Sequence, residues 1–90
     1  MERKELIELL KGRVLRVQTH NEWMELCELL DEVGLEWIGS RGIDKEDIWK
    51  KYGKMLGVIL NKDGRKYKVS YINYRLAQVA KGLEVVTLDK

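Results

Sequence analysis

The sequence predicts one α+β domain over residues 1–90, with a mostly antiparallel sheet, a central hairpin and helices covering one sheet face. Three observations predict it. An amphipathic run is capped at both ends between Thr19 and Gly34. Two strand-like runs flank the turn Asn61-Lys62-Asp63-Gly64. Ninety residues, 44% of them hydrophobic, have room for one modest core.

The elements follow in the order α-β-α-β-α-β-β-α-β. Glu2–Lys11 reads as a short helix with Leu6, Leu9 and Leu10 as its apolar stripe and Gly12 placed to cap it. Arg13–Gln18 alternates as a strand, with Leu15 and Val17 on one side of Arg16. Thr19-x-x-Glu22 is a capping box: the hydroxyl accepts from the Glu22 amide while the carboxylate reaches back. Trp23, Leu26, Cys27, Leu30 and Val33 follow at helical spacing, with Glu22, Glu25, Glu28, Asp31 and Glu32 on the wet face.

Leu35–Ile38 reads as a short strand and Gly39-Ser40-Arg41-Gly42 as a turn. Asp44 is the expected N-cap of a helix over Lys45–Tyr52, with Ile43 and Ile48 as a hydrophobic staple and Gly53 as the stop. Met55–Leu60 is an apolar run of strand length. Gly64 suits the left-handed conformation a tight hairpin needs. In Lys66–Tyr71, Tyr67, Val69 and Tyr71 face one way and Lys66, Lys68 and Ser70 the other. Asn73–Lys81 reads as a helix ended by Gly82, and Leu83–Leu88 as a final strand.

The formal net charge of +2 hides a sorting of charge. Residues 20–47 carry nine acids against Arg41 and Lys45, whereas residues 48–75 carry eight bases against Asp63. Such a chain presents a basic face to an anion, or pairs its two halves within or between copies. No apolar run approaches the roughly 18 residues of a membrane span. A single cysteine suits a reducing cytoplasm, and Glu2, Arg3, Lys4 and Glu5 do not open a signal peptide.

The residues of metal and nucleophile chemistry are sparse. His20 and Cys27 are the only residues of their kinds, seven apart and about two helical turns from each other. Cys27 belongs on the apolar stripe. Ser40 and Ser70 lie in no nucleophile elbow, and no glycine-rich phosphate loop is present. The expectation is a protein that is not an enzyme, with no cofactor and no metal.

Two constellations suit an anionic ligand. In the first, the Gly39–Gly42 turn offers backbone amides, Ser40 a hydroxyl and Arg41 a forked donor, with Trp37 and Trp49 as stacking surfaces. The other reading of Trp37 and Trp49 is core packing, and both stay open. The second runs through Lys62, Arg65, Lys66, Lys68, Ser70, Tyr71, Asn73, Tyr74 and Arg75. Bases stack on tyrosine and lysine or arginine reaches phosphates, while lysines on an edge hairpin also serve solubility and block edge pairing. The acidic helix face is a third surface, suited to a basic protein partner.

The succession Thr19-x-x-Glu22, Gly34-x-x-Trp37, a Gly/Ser turn, Trp49-x-x-Tyr52, a hairpin, Ser70-Tyr71, Tyr74 and a closing Glu-Val-Val strand resembles a loose group of small phage and prophage proteins. The resemblance spans residues 14–88; the turn containing Gly39 and Arg41 is longer than in that group and the hairpin more basic. It implies a phage origin and, by analogy, action against host defences.

The combined expectation is a homo-oligomeric binding protein in the host cytoplasm that sequesters a nucleotide-like anionic small molecule, as a sponge for an immune signal. Trp37, Trp49, Tyr71 and Tyr74 would stack on the base, and Arg41, Arg75, Lys66 and Lys68 would hold the phosphates. The alternatives are an inhibitor or adaptor of a host protein complex and a weak nucleic-acid binder.

Overall fold

A computed structural model describes residues 1–39 and 44–88. The helices are α1 (Arg3–Leu10), α2 (His20–Val33), α3 (Lys45–Tyr52) and α4 (Tyr74–Lys81). The strands are β1 (Arg13–Arg16), β2 (Leu56–Asp63), β3 (Lys66–Asn73) and β4 (Glu84–Thr87). They form one sheet in the order β3-β2-β1-β4. β2 is antiparallel to both β1 and β3, and β4 is parallel to β1. The domain is therefore α+β with a mostly antiparallel sheet. The chain leaves β3 at one edge, crosses a sheet face as α4 and returns as β4 at the other edge.

Local chemistry sets most of the boundaries. Thr19 Oγ1 accepts from the Glu22 amide at 3.1 Å. The Glu22 carboxylate reaches back to the Gln18 amide, at 3.0 Å, one residue earlier than a reciprocal capping box would place it. Gly34 closes α2 in the left-handed conformation, φ 75°. Asp44 caps α3 by accepting from the Asp47 amide at 3.1 Å, and Asn73 Oδ1 caps α4 by accepting from the Arg75 and Leu76 amides. The staple partner Ile43 lies outside the described residues. In the hairpin, Asp63 pairs with Lys66, which leaves the two-residue loop Gly64-Arg65. Gly64 has φ +65°, the left-handed conformation a tight hairpin loop of this kind requires.

The strand pleat divides the core in two. Leu15, Val58 and Val69 join Leu6, Leu10, Trp23, Leu26, Leu30 and Ile48 beneath α1, α2 and α3. Val14 and Ile59, on the opposite face, pack against Tyr74 and Ala77 of α4. This corrects the expectation of helices on one face only: the strands are apolar on both faces, and the second face needs a cover. Gly57 makes that cover possible. A Cβ there would meet Val14 Cγ2 at 2.7 Å and Tyr74 Cβ at 3.0 Å.

The expected strand over Leu35–Ile38 is reduced to a single parallel bridge between Trp37 and Val69. The Val69 amide donates to the Glu36 carbonyl at 2.9 Å, and the Ile38 amide donates to the Val69 carbonyl at 2.8 Å. This segment covers the middle of the β3 edge, which would otherwise be open to another strand. Trp23 ties α2 to α3: its buried indole N–H donates to the Lys45 carbonyl at 2.8 Å. No helix among the described residues is long and apolar enough to cross a membrane.

Candidate anion-binding groove

Three segments meet at the hairpin end of β3: the start of α1, the chain just after α2, and the hairpin itself. Between them lies a groove of about 310 Å³ lined by Arg3, Gly34, Glu36, Arg65, Lys66, Tyr67 and Lys68. Among the described residues, four cations and one carboxylate thus line it. Lys66 and Lys68 reach it because they share a strand face, and Arg65 because it occupies the hairpin loop. Arg3 reaches it through the phase of α1, three residues before buried Leu6 and seven before buried Leu10.

Tyr67 is the hub of this end of the molecule. Lys11 Nζ stands 5.7 Å from the centre of its ring and Lys62 Nζ 6.0 Å, both within cation–π range. Two carboxylates hold cations in place. Asp63 lies 3.3 Å from Lys68 Nζ, and Glu8 lies 3.0 Å from Lys11 Nζ and raises its pKa by accepting its hydrogen bond. The hairpin thus pairs Lys68 within itself. On the acidic side, Asp31 of α2 pairs with Lys45 of α3.

Further along the same edge lies a row of aromatic rings. Trp37 is half-buried against the core, with Trp23 edge-on at 5.7 Å and Tyr71 tilted at 6.2 Å. Tyr71 also meets Tyr52 edge-on at 5.7 Å, and Lys51 Nζ stands 5.6 Å from the Tyr52 ring. Tyr71 is 38% exposed, the open member of the row.

The remaining expected site residues are dispersed. Trp49 is half-buried on α3 with His20 edge-on at 5.9 Å, and His20 Nε2 lies 2.9 Å from Glu46. Tyr74 is 9% exposed, in the second core, with the Arg16 guanidinium 4.5 Å above its ring. Its face is taken and its position is across the sheet, so the expected base-stacking role does not fit it. Arg75 is exposed on α4 beside it, apart from the groove. Ser40 and Arg41 lie outside the described residues. Ser70 accepts a hydrogen bond from Asn61 Nδ2 at 2.7 Å.

Lys66 and Lys68 thus stand on one face of β3 with Arg65 beside them in the hairpin loop, and Tyr71 stands on the other face. Arg3, Gly34, Glu36 and Tyr67 line the groove but belong to neither constellation predicted from the sequence. For Arg3 the signal was its place on the Leu6–Leu10 stripe; for Glu36, its neighbour Trp37. Searches against protein families, curated proteins and solved structures each found no match to this chain.

Proposed function

We propose that this chain is a non-enzymatic binding protein that sequesters a nucleotide-like anion, with the phosphates held in the hairpin groove. One observation carries the reading. Arg3, Arg65, Lys66 and Lys68 line a single concavity in which Glu36 is the one carboxylate among the described lining residues, with Asp63 paired to Lys68 beside it. Clustered cations in a cleft concentrate anions, and arginine offers phosphate a forked pair of donors. Arg65, Lys66 and Lys68 come from one hydrogen-bonded hairpin, so a single backbone frame carries three of the four cations. The reading keeps the phage-type, host-cytoplasm setting that the sequence resemblance implies.

Calorimetric titration with pyrophosphate, mononucleotides and cyclic dinucleotides tests it, on the native protein and on the double variant Arg65→Glu/Lys66→Glu. Both positions are exposed, so the variant should fold normally. The reading predicts salt-sensitive binding to the native protein and at least a tenfold loss in the variant. Absence of heat with every anion, or equal affinity in the variant, overturns it.

A further inference from the structure

Glu36 lines the hairpin groove, yet its carboxylate has no hydrogen-bond or ion-pair partner among the described residues. The backbone explains why. The parallel bridge sets Trp37 beside Val69, so one step back sets Glu36 beside Lys68 on the same sheet face. Lys68 is its neighbour by register, but the Lys68 Nζ lies 3.3 Å from Asp63. Asp63 and Lys68 satisfy each other, and the exposed Glu36 oxygens are left as acceptors. Arg3, Arg65 and Lys66 also make no ion pair among the described residues. An unpaired acceptor therefore shares one concavity with three unpaired cations.

A bare polyphosphate uses the cations alone and is opposed by Glu36. A ligand with a phosphate at one end and hydroxyls at the other uses both. A carboxylate only accepts, and its two oxygens suit a pair of vicinal hydroxyls, as on a ribose ring. Hydrogen bonds from a hydroxyl to an ionised oxygen are among the stronger ones. The groove volume of about 310 Å³ stands at the low end of the roughly 300–1,000 Å³ of small-molecule sites, room for one sugar phosphate. Tyr67, the aromatic ring in the lining, is already engaged by Lys11 and Lys62. Resting on the anion reading above, we infer that the groove recognises a ribose 5-phosphate unit: the cations hold the phosphate, and Glu36 accepts from the 2- and 3-hydroxyls. The chemistry is that of a phosphorylated sugar, whether free or within a nucleotide, and an attached base goes unread. Glu36 thus sets the direction of the ligand and selects sugar phosphate over bare polyphosphate.

The test is a set of calorimetric titrations on the native protein, Glu36→Ala and Arg65→Glu/Lys66→Glu. The ligands are pyrophosphate, ribose 5-phosphate and the 5′-monophosphates of adenosine, uridine and 2′-deoxyadenosine. Glu36 is exposed and holds Val69 through its carbonyl, so Glu36→Ala should fold, and thermal melts check it. In the native protein the two ribonucleotides and ribose 5-phosphate should bind within about threefold of one another, and the deoxynucleotide about tenfold more weakly than adenosine monophosphate. Glu36→Ala should tighten pyrophosphate, weaken the ribonucleotides and bind the ribo and deoxy forms alike. Those opposite signs require a contact to the hydroxyls, because a purely structural role would move every ligand in the same direction. Three results overturn the ribose assignment and leave the groove standing: equal native binding of ribo and deoxy forms, a preference that survives in folded Glu36→Ala, or a ribonucleotide that binds far better than ribose 5-phosphate. No pyrophosphate binding, together with indifference to Arg65→Glu/Lys66→Glu, overturns both.

Discussion

Trp37 sits opposite Val69 in a one-residue parallel bridge, fixed by two backbone hydrogen bonds of 2.9 and 2.8 Å. That contact decides the geometry of the candidate site. It holds the Glu36 backbone against the middle of β3, so that Glu36 lines the groove together with Arg3, Arg65, Lys66 and Lys68. Glu36 is exposed, so it opposes an entering anion through solvent-screened repulsion. Glu36→Gln should therefore tighten pyrophosphate binding about two- to fivefold at low salt, with the gain fading as salt is added. Calorimetry at two ionic strengths measures it.

Gly57 lets α4 approach the sheet. A methyl group there would lie 2.7 Å from Val14 Cγ2, a fully buried atom with little room to yield. Gly57→Ala should destabilise the fold by about 1–3 kcal/mol, the usual range for overpacking. Urea denaturation measures the loss. Anion binding at the opposite end of β2 should persist at temperatures where the variant remains folded.

The buried Trp23 side chain both fills the main core and donates to the Lys45 carbonyl at 2.8 Å. Trp23→Phe keeps an aromatic ring but removes the donor and some volume. Its expected cost is about 2 kcal/mol. Because the lost bond anchors the first residue of α3, hydrogen exchange should quicken in Lys45–Tyr52 more than in β2. Uniform quickening across all elements would show that Trp23 acts through volume alone.

Burial raises the Cys27 thiol from its ordinary 9.0 to about 11. Between those two values the unfolded chain releases a proton that the folded chain keeps. The folded state then binds more protons, so stability falls as pH rises from about 9 towards 11. Cys27→Ala should show a shallower decline over that window in urea midpoints. Below pH 9 the two proteins should differ by a constant offset, the cost of the smaller side chain. A disulfide-exchange reagent at pH 8 should react with the native thiol only as fast as the protein opens.

The sequence was most legible where structure is local. Thr19 and Asp44 announced two helix starts through side chains that reach the next amides, and Gly34 and Gly82 announced two ends, whereas Asn73, read as the first residue of a helix, is its N-cap. The hairpin was legible, but its turn lies later than Asn61–Gly64: β2 runs on to Asp63 and the loop is Gly64-Arg65, because Asn61, Lys62 and Asp63 pair with Lys68, Tyr67 and Lys66. Contacts between distant segments were less so. Alternation in Lys66–Tyr71 correctly separates Lys68 from Val69, but it does not reveal that residues 36–38 dock on that strand edge. Tyr74 shows the same limit. Its neighbours Tyr71 and Arg75 suggested a cluster, yet the strand-to-helix junction at Asn73 carries Tyr74 to the other sheet face under Arg16. Adjacency in sequence across such a junction does not imply adjacency in space.

The central claim is that an anion occupies the hairpin groove, and a nitrogen–proton correlation spectrum of labelled protein titrated with pyrophosphate tests it most directly. The account predicts saturable shifts concentrated on the amides of Arg3, Gly34, Glu36 and Arg65–Lys68, with those of α4 unmoved. Shifts centred on α2 or α4, or none at millimolar pyrophosphate, would contradict it.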